Sequence, residues 1–318
     1  MTEAELLLAV VLDAAIGDPR WLPHPVRSMG RAIAWCDERV TRWCRSPWSL
    51  RVAGLGLVLF LSFAAYCAGY IAIDQADHLS SLFGHMVSIG LAFTTLAGRD
   101  LLDHARAVSH ELADGNLLKA RQAVAMIVGR DTETLSEQEI IRATVETVAE
   151  SASDGVIAPL VYLTIGGAPL ALAYKAINTL DSMIGHRGGH HEHFGWASAR
   201  LDDLANWIPA RLTAIIMAIA AGAATGQWQR SGESWRICLR DGQRHPSPNS
   251  GRPEAAMAGA LGVQLGGVNY YGGHPQERPR MGDGTRALEL RDVDMALRVL
   301  IVTYGLGFLL SMTALWLA

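Results

Sequence analysis

The chain alternates between apolar runs and polar segments, and several apolar runs are long enough to cross a membrane. Residues 52–73 contain no charged side chain and match the roughly 20 residues that a spanning helix needs. The run 299–318 is equally apolar, and residues 82–97 form a third candidate span. The pattern predicts a polytopic membrane protein.

Three further apolar runs fit either a membrane crossing or a helix buried within the protein. Residues 155–173 contain Pro159 and a Gly-Gly-Ala-Pro turn signal, and the run 212–226 is short and rich in Ala and Gly. We favour helices that dip into the membrane or pack inside the protein for these two. The run 4–17 ends at Gly-Asp-Pro, a helix stop, and is either a first span or a half-buried helix.

Basic residues give the predicted orientation. The segments 18–51 and 98–154 contain seven and six Lys or Arg residues, whereas the short loop between the first two clear spans contains none. The positive-inside rule assigns both segments to the cytoplasm. The Arg-rich segment 227–291 is predicted to lie on the same side, and we expect one membrane-embedded domain over 1–318.

Outside the apolar runs the residue spacing is helical. In 99–126 apolar residues recur at intervals of three and four, which is typical of an amphipathic helix. Thr132 or Thr134, followed by Ser-Glu-Gln-Glu at 136–139, predicts the capped start of the next helix. No alternating strand pattern with a hairpin turn is visible, so we predict an all-α fold.

The composition supports this prediction and excludes several function classes. Half of the residues are hydrophobic (50%) and only 18% are charged, against about 25% in soluble domains. The net charge of −4, with no basic run interleaved with aromatic residues, argues against nucleic acid as a partner. The sequence has no P-loop, Rossmann fingerprint, H-E-x-x-H or redox C-x-x-C, which argues against the usual nucleotide-binding, nicotinamide and zinc-peptidase classes.

Three carboxylates recur at every fourth position: Glu146, Glu150 and Asp154. On an α-helix they share one face, where like charges at this spacing repel one another. One interpretation is a solvated acidic face. The neighbouring residues are mostly Val, Ala, Thr and Ser, however, so the acids are the only charges on a largely buried helix. A hard divalent cation would satisfy them, and we favour a metal or substrate site.

A second polar cluster lies at 173–187. Lys175, Asn178 and Asp181 fall on one side of a predicted helix, and His186 and Arg187 follow its end. The residue types suit phosphate and metal-bound phosphate. The alternative is a lysine that extends its ammonium group along an apolar helix toward water.

A third cluster has the spacing D-D-x-x-N. Asp202, Asp203 and Asn206 would lie on adjacent helical turns that can hold Mg²⁺ and diphosphate oxygens, and Arg211 follows. Acidic residues at helix starts are common because of the helix dipole, which is the simpler explanation.

A loop at 245–254 resembles an anion site at the start of a helix. Ser247, Asn249 and Ser250 precede a predicted helix, and Arg252 and Glu254 stand at its mouth. Free N–H groups at a helix N-terminus together with an arginine favour an anion. The alternative is an ordinary capped helix start.

The segment 17–30 is a rigid turn with three prolines that presents Asp18, His24 and Arg27 beside Trp21. It is either an elbow at the membrane surface, anchored by the tryptophan, or a binding loop for an anionic substrate.

These clusters, in this order, closely resemble the adenosylcobinamide-phosphate synthase family, also called CobD/CbiB. The resemblance extends from residue 17 to residue 273, whereas the His-His-Glu-His patch matches more loosely and inherits no role. The matching pieces are GDPRWLPHPVR, ETVAESASDGVIAPL, KAINTLDSMIGHR, FGWASARLDDLANWIPARL and SPNSGRPEAAMAGALGVQLGG.

The resemblance implies a multi-pass enzyme of the bacterial inner membrane with a cytoplasmic active side. It implies ATP-dependent amide-bond formation between adenosylcobyric acid and (R)-1-aminopropan-2-ol or its O-phosphate, with ATP and Mg²⁺ as cofactors. Other membrane enzymes of late corrinoid assembly are further candidate partners.

The clusters and the resemblance together give a hypothesis for the site. The candidate Mg²⁺ ligands are Glu146, Glu150, Asp154, Asp202 and Asp203. The candidate catalytic residues are Glu146, Glu150, Asp154, Lys175, Asp181 and Glu254, with Glu254 as the candidate base that deprotonates the ammonium. The candidate substrate- and phosphate-binding residues are Asp18, His24, Arg27, Asn178, His186, Arg187, Asn206, Arg211, Ser247, Asn249, Ser250 and Arg252.

Two other classes stay open. A Mg²⁺-dependent membrane transferase acting on a diphosphate would explain D-D-x-x-N, but it predicts a second aspartate-rich motif. A non-catalytic corrinoid transporter or scaffold would explain the membrane content, but it predicts no ATP turnover.

Overall fold

The computed structural model describes residues 1–19, 21, 24–185 and 191–318. In chain order its helices are α1 Glu3–Ile16, α2 Pro25–Trp43, α3 Pro47–Leu79, α4 Ser81–Phe93, α5 Gly98–Ala113, α6 Leu117–Ala125, α7 Glu137–Ser151, α8 Ala158–Ile184, α9 His191–Phe194, α10 Trp196–Ala205, α11 Trp207–Thr225, α12 Gln229–Asp241, α13 Gly251–Leu261 and α14 Arg291–Leu317. A π-helical turn, Ala152–Ile157, joins α7 to α8, and the strands β1 Leu265–Tyr271 and β2 His274–Met281 precede α14.

The chain divides into two compact units. The first contains 1–97, 158–206 and 310–318, and the second contains 98–157 and 207–309. The expectation of a single membrane-embedded domain stays a prediction.

Five helical segments are long and apolar enough to cross a membrane, which confirms the predicted polytopic helical membrane protein. They overlap the three clear candidate runs 52–73, 82–97 and 299–318, and also 155–173 and 212–226, for which we favoured helices that dip into the membrane or pack inside the protein. Their bounds in the described chain are Pro47–Leu79, Ser81–Ala113, Glu137–Ile184, Trp207–Thr225 and Arg291–Leu317.

The apolar core of the first unit forms where α2, α3 and α8 pack against α9 and α10. Its buried side chains include Ile33, Val58, Leu180 and Phe194. Close packing of these side chains adds van der Waals contacts, which are a main source of attraction between helices in a membrane.

The expectation that no hairpin occurs is wrong. β1 and β2 pair antiparallel with Tyr271 opposite His274. Gly272 and Gly273 make the two-residue turn with φ of 58° and 80°, a conformation that glycine adopts without steric cost. The pattern was hidden because β2 is largely exposed and contains two prolines, so its side chains do not alternate between apolar and polar.

Helix starts and stops follow local chemistry, with one correction. The helix predicted to start at Thr132 or Thr134 is capped by Ser136 instead, whose backbone N–H donates to a carboxylate oxygen of Glu139 at 2.8 Å. The predicted stop after 4–17 is confirmed, since α1 ends at Ile16 and Gly17 caps it. The turn signal at 166–169 produces a kink at Gly167 inside α8 rather than a break.

Candidate active site

A cleft in the second unit gathers charged side chains of both signs. Its volume is about 150 Å³, below the roughly 300–1,000 Å³ of pockets that enclose whole ligands. The cleft therefore suits one charged group of a substrate rather than a whole nucleotide or corrinoid. Its ionisable lining includes Arg130, Glu146, Glu150, His245, Glu254 and Arg278.

Glu146 is fixed by a buried network of two arginines. Arg130 donates from Nη2 to Oε2 of Glu146 at 2.5 Å, and Nη1 of Arg142 lies 3.9 Å from Oε1. The backbone N–H of Gly266 donates to Oε1 at 2.8 Å. The side chains of Arg130 and Glu146 are only 7% and 10% exposed, so their charges compensate each other away from water.

The same arginines hold the hairpin in place. Nη1 of Arg130 donates to Oδ1 of Asn269 at 2.5 Å, and Nη2 of Arg142 donates to that atom at 3.0 Å. Arg142 also donates to the carbonyl oxygens of Gly266 and Val268. Strand β1 is thereby attached to the start of α7.

Glu150 meets the loop that precedes α13. The Ser250 hydroxyl donates to Oε1 of Glu150 at 2.8 Å. Backbone N–H groups of Asn249 and Ser250 both donate to the hydroxyl oxygen of Ser247 at 3.2 Å, which gives the loop its shape. Ser250 does not cap α13 with its side chain, so its hydroxyl is used for the carboxylate.

Glu254, His245 and Arg278 form a cluster at the cleft. Oε1 of Glu254 lies 3.9 Å from Nε2 of His245, and Nη1 of Arg278 lies 2.8 Å from the same nitrogen. Arginine can only donate, so Nε2 accepts this hydrogen bond. The backbone N–H of Ser247 donates to Nδ1 of the same ring at 3.1 Å.

The two titratable groups of this cluster are shifted toward their neutral forms. Burial raises the pKa of Glu254 well above its ordinary value of 4.5, and the nearby Glu146 and Glu150 charges raise it further. Burial, followed by the Arg278 charge, lowers the pKa of His245 from its ordinary 6.5. A shifted carboxyl group in a cleft is a functional-site signal because catalytic acids and bases need such shifts.

Two arginine donors suit an oxyanion. Within the described chain, Nε of Arg278, which lines the cleft, and Nε of Arg252, in the first turn of α13, are buried and have no hydrogen-bond partner. Buried guanidinium donors without acceptors are costly, and a phosphate or carboxylate oxygen would satisfy them.

The candidate Mg²⁺ ligands lie in two separate parts of the chain. No group of three or more His, Cys, Asp or Glu side chains spaced to hold a metal ion occurs in the described part of the chain. The five candidate Mg²⁺ ligands are divided between the two units, with Asp202 and Asp203 in the first. Their metal role stays a prediction.

The acidic stripe crosses from one helical element into another. Glu146 and Glu150 lie on α7, and Asp154 lies in the π-helical turn that follows. Asp154 is not among the described residues that line the cleft. Its role beside Glu146 and Glu150 stays a prediction.

In the first unit the D-D-x-x-N cluster forms a hydrogen-bond network. Asn178 and Asn206 donate from their amide nitrogens to the two carboxylate oxygens of Asp202, at 3.3 and 3.0 Å. The Tyr174 hydroxyl donates to Oδ1 of Asn206 at 2.9 Å. Asp202 and Asn206 are buried, so their contact across one helical turn follows the predicted spacing.

The other predicted residues lie in several places. In the first unit Arg27 donates to Asp18 at 2.6 Å, and Nε2 of His24 lies 3.8 Å from that carboxylate. Arg211 donates to the Trp207 carbonyl oxygen at 2.6 Å and lies over its ring. Lys175, Asp181 and Asp203 are half-buried in the first unit, and His186 and Arg187 lie outside the described residues.

Sequence reasoning missed much of the positive lining. Arg130 and Arg142 were counted only as positive charges that set the orientation. Asn269 and Arg278 were missed because the hairpin that carries them was missed. His245 opens the predicted loop H-P-S-P-N-S-G and could have been found from that position.

Comparison with known proteins identifies relatives along almost the whole chain. The family described as CobD/Cbib protein matches residues 6–300. The cobalamin biosynthesis protein CobD of Geobacter metallireducens is 52% identical over 91% of this chain and 90% of its own. CobD of Halalkalibacterium halodurans is 44% identical over 96% and 93%, and CbiB of Salmonella typhimurium is 42% identical over 99% and 98%. No solved structure matches the chain.

Proposed function

Because the chain belongs to the CobD/CbiB family, whose relatives are named cobalamin biosynthesis proteins, we propose that it catalyses an amide-forming step of that pathway. The proposed reaction joins adenosylcobyric acid to (R)-1-aminopropan-2-ol or its O-phosphate at the expense of ATP. Its product is adenosylcobinamide or adenosylcobinamide phosphate.

The chemistry sets three requirements for the protein. A carboxylate oxygen of the corrinoid attacks the γ-phosphorus of ATP, ADP leaves, and an acyl phosphate forms. The substrate ammonium then loses one proton to a base of the protein, its nitrogen attacks the acyl carbon, and the C–O bond to phosphate breaks as the C–N bond forms. The second nitrogen proton leaves with the departing phosphate. The protein must therefore bind phosphate, hold an ammonium group and accept one proton.

The observation that carries the proposal is the position of Glu254 among charges of both signs. Glu150 and Glu254 line the same cleft as the ion-paired Glu146, and the ionised form of Glu254 would attract a cationic group there. The raised pKa of Glu254 brings its proton affinity toward the working pH, where a general base is most effective. An ammonium in the cleft would also stabilise the ionised form of Glu254, which prepares that carboxylate to accept the proton.

The loop before α13 supplies the proposed phosphate contacts. Asn249 and Ser250 stand at the N-terminal end of an 11-residue helix, where backbone N–H groups and the helix dipole favour an anion. The buried Nε donors of Arg252 and Arg278 would donate charge-assisted hydrogen bonds to phosphate oxygens. His245 and Ser247 would position Arg278 and the loop.

Oxygen donors near this loop also fit a hard divalent ion. The Glu150 carboxylate and the Ser250 hydroxyl, 2.8 Å apart, would hold Mg²⁺ together with substrate phosphate. When bound, the ion neutralises phosphate charge. The cluster in the first unit is proposed to bind Mg²⁺ and phosphate together. Lys175 and Asn178 would contact phosphate oxygens, and Asp181, Asp202 and Asp203 would hold the ion.

We also propose that the protein resides in the bacterial inner membrane with its active side in the cytoplasm. The Lys and Arg residues of 18–51 and 98–154 support this orientation. Arg130 and Glu146 belong to the second of these segments, so the cleft would face the cytoplasm.

The test is an assay of the full chain in detergent or vesicles with ATP, Mg²⁺, adenosylcobyric acid and each form of the amine. We expect ADP and the amide in equal amounts. Glu254→Gln should lower turnover about 10²–10⁴-fold. Glu277→Gln is the matched control, since Glu277 is an exposed glutamate on β2. If no amide forms with either form of the amine, the proposed reaction is wrong. If Glu254→Gln turns over normally, Glu254 is not the general base.

A further inference from the structure

Helix α2 has one packed face and one exposed face that differ in chemistry. Met29 and Ile33 are buried on the packed face, and Val40 packs against the core of the first unit. The opposite side carries arginines and a tryptophan at positions 31, 35, 39 and 42, a spacing that follows one side of a helix. We call these residues, Arg31, Trp35, Arg39 and Arg42, the Arg–Trp face.

The Arg–Trp face is open to its surroundings although it contains a large aromatic ring. Trp35 is 55% exposed, and the guanidinium of Arg39 lies 3.6 Å from the centroid of its ring. Trp43, at the end of α2, is 85% exposed. Amphipathic rings of this kind are enriched where a membrane meets water, because one part prefers hydrocarbon and the other prefers water.

The charge of this segment is positive. Residues 25–51 contain six arginines and two acids, Asp37 and Glu38. Asp37 lies 3.0 Å from Nε2 of His191, away from the Arg–Trp face, and Glu38 pairs with Arg42 at 2.6 Å. Arg39 and Arg45 have no acidic partner among the described residues, so the face presents cationic donors.

Chain connectivity fixes the depth of the C-terminal end of α2. Only residues 44–46 separate α2 from α3, and three residues reach at most about 11 Å. Helix α3 begins at Pro47, exposes 75% of Trp48, and contains no charged residue from Val52 to Ile73. The end of α2 must therefore lie at the boundary where a membrane-spanning helix enters the bilayer.

We propose that the Arg–Trp face of α2 binds the headgroups of anionic phospholipids at the membrane surface. The arginines pair with lipid phosphates, and Trp35 and Trp43 insert at the level of the headgroups. Charge complementarity favours this occupant over a second copy of the chain, whose corresponding face would carry the same positive charge.

The test measures quenching of tryptophan fluorescence by lipids brominated near the headgroup end of their acyl chains. The full chain is reconstituted in phosphatidylcholine vesicles that contain either brominated phosphatidylglycerol or brominated phosphatidylcholine at the same fraction. The contribution of Trp35 is the difference between the parent chain and Trp35→Phe. We expect stronger quenching of Trp35 by the anionic lipid. The lipid preference is the ratio of quenching by phosphatidylglycerol to quenching by phosphatidylcholine, and each arginine removed should lower this ratio about fivefold.

Arg39→Gln/Arg42→Gln is the test variant, and Lys119→Gln/Arg280→Gln is the control with the same change in charge. Lys119 and Arg280 are exposed outside the five candidate spans. The proposal requires that the preference of Trp35 for the anionic lipid falls in Arg39→Gln/Arg42→Gln and persists in Lys119→Gln/Arg280→Gln. Equal quenching by both lipids in the parent chain overturns it. The proposal is also overturned if neither lipid quenches Trp35. If Trp35→Phe then changes the oligomeric state, Trp35 lies in a contact between copies of the chain.

Discussion

The hydroxyl of Ser250 donates a hydrogen bond of 2.8 Å to a carboxylate oxygen of Glu150, a residue 100 positions earlier in the chain. This bond joins the acidic stripe of α7 to the loop at the start of α13, two features that the sequence suggested separately. The carboxylate is thereby held beside a helix N-terminus, where an anionic substrate group and a cation can meet.

Glu150→Gln separates the charge of this residue from its hydrogen bond. A carboxamide oxygen can still accept from Ser250, so the loop should keep its shape while the negative charge is lost. We expect turnover in the proposed amide-forming assay to fall about 10²-fold or more. Ser250→Ala keeps the charge and should cost less, about tenfold. Near-normal turnover of Glu150→Gln, with the protein still in the membrane fraction, would sink the electrostatic role.

Removing one partner of the Arg130–Glu146 ion pair should destabilise the protein more than removing both partners. Arg130→Met leaves a buried carboxylate with only Arg142, at 3.9 Å, as a charged partner, and should lower the free energy of unfolding by about 3–5 kcal/mol. The double variant Arg130→Met/Glu146→Leu removes both charges and should regain most of this loss. Thermal unfolding in detergent measures both. A double variant as unstable as the single one would contradict the argument.

Glu254 and His245 should affect stability in opposite directions as pH changes. The raised pKa of Glu254 means that its contribution is fully present below its ordinary value of 4.5 and is lost as pH rises. The lowered pKa of His245 means that its contribution is present above 6.5 and is lost as pH falls. Between pH 4.5 and 6.5 the two oppose each other in the parent chain.

Single substitutions should expose these opposite slopes. Glu254→Gln removes the glutamate contribution, so its melting temperature should rise with pH more steeply than that of the parent chain. His245→Asn removes the histidine contribution, so its melting temperature should rise less steeply than that of the parent, or fall. Melting curves at several pH values measure the slopes, and slopes equal to the parent's in both variants would refute the assignment.

The sequence predicted the long apolar helices because the bilayer imposes a simple requirement on length and hydropathy. It also predicted that Asp202 and Asn206 lie on adjacent helical turns, and in the structure a spacing of four brings their side chains into contact. Predictions from hydropathy and helical spacing depend on a few neighbouring residues, so a wrong assignment elsewhere in the chain does not affect them.

The cleft was harder to predict because its members come from distant segments. Arg130 lies in a loop before α7, and Arg278 lies on a strand without alternating hydropathy. Their meeting with Glu146 and Glu254 depends on tertiary packing, which periodicity does not encode. The π-helical turn that follows α7 also leaves no signal in residue spacing.

Gly54 on α3 allows a close approach that no other residue permits. A Cβ atom there would lie 1.9 Å from the carbonyl oxygen of Phe194, a backbone atom that cannot rotate away. Gly54→Ala should therefore destabilise the protein by about 1–3 kcal/mol. Gly56, two residues later on the same helix, has open space, so Gly56→Ala should be neutral or stabilising. Equal melting temperatures for the two variants would contradict this packing.

Asp131 holds the tip of the hairpin that carries Asn269 and Arg278. Its carboxylate accepts backbone hydrogen bonds from Gly272 at 3.0 Å and Gly273 at 2.7 Å, and its own N–H donates to the Tyr270 carbonyl oxygen at 2.8 Å. Asp131→Ala removes both side-chain bonds and should let the hairpin open more often. We expect hydrogen exchange in 265–281 to rise about tenfold, the factor that roughly 1.4 kcal/mol of lost stabilisation produces.

The control for this prediction is Asp114→Ala, which removes an exposed carboxylate at the end of α5 and should leave exchange in the hairpin unchanged. Because Arg278 reaches the cleft from β2, opening of the hairpin should also weaken phosphate binding there. Hydrogen exchange with and without inorganic phosphate checks both effects: phosphate should slow exchange in the parent chain and less so in Asp131→Ala. Unchanged exchange in Asp131→Ala would show that the network of Arg130, Arg142 and Asn269 holds the hairpin without help from its tip.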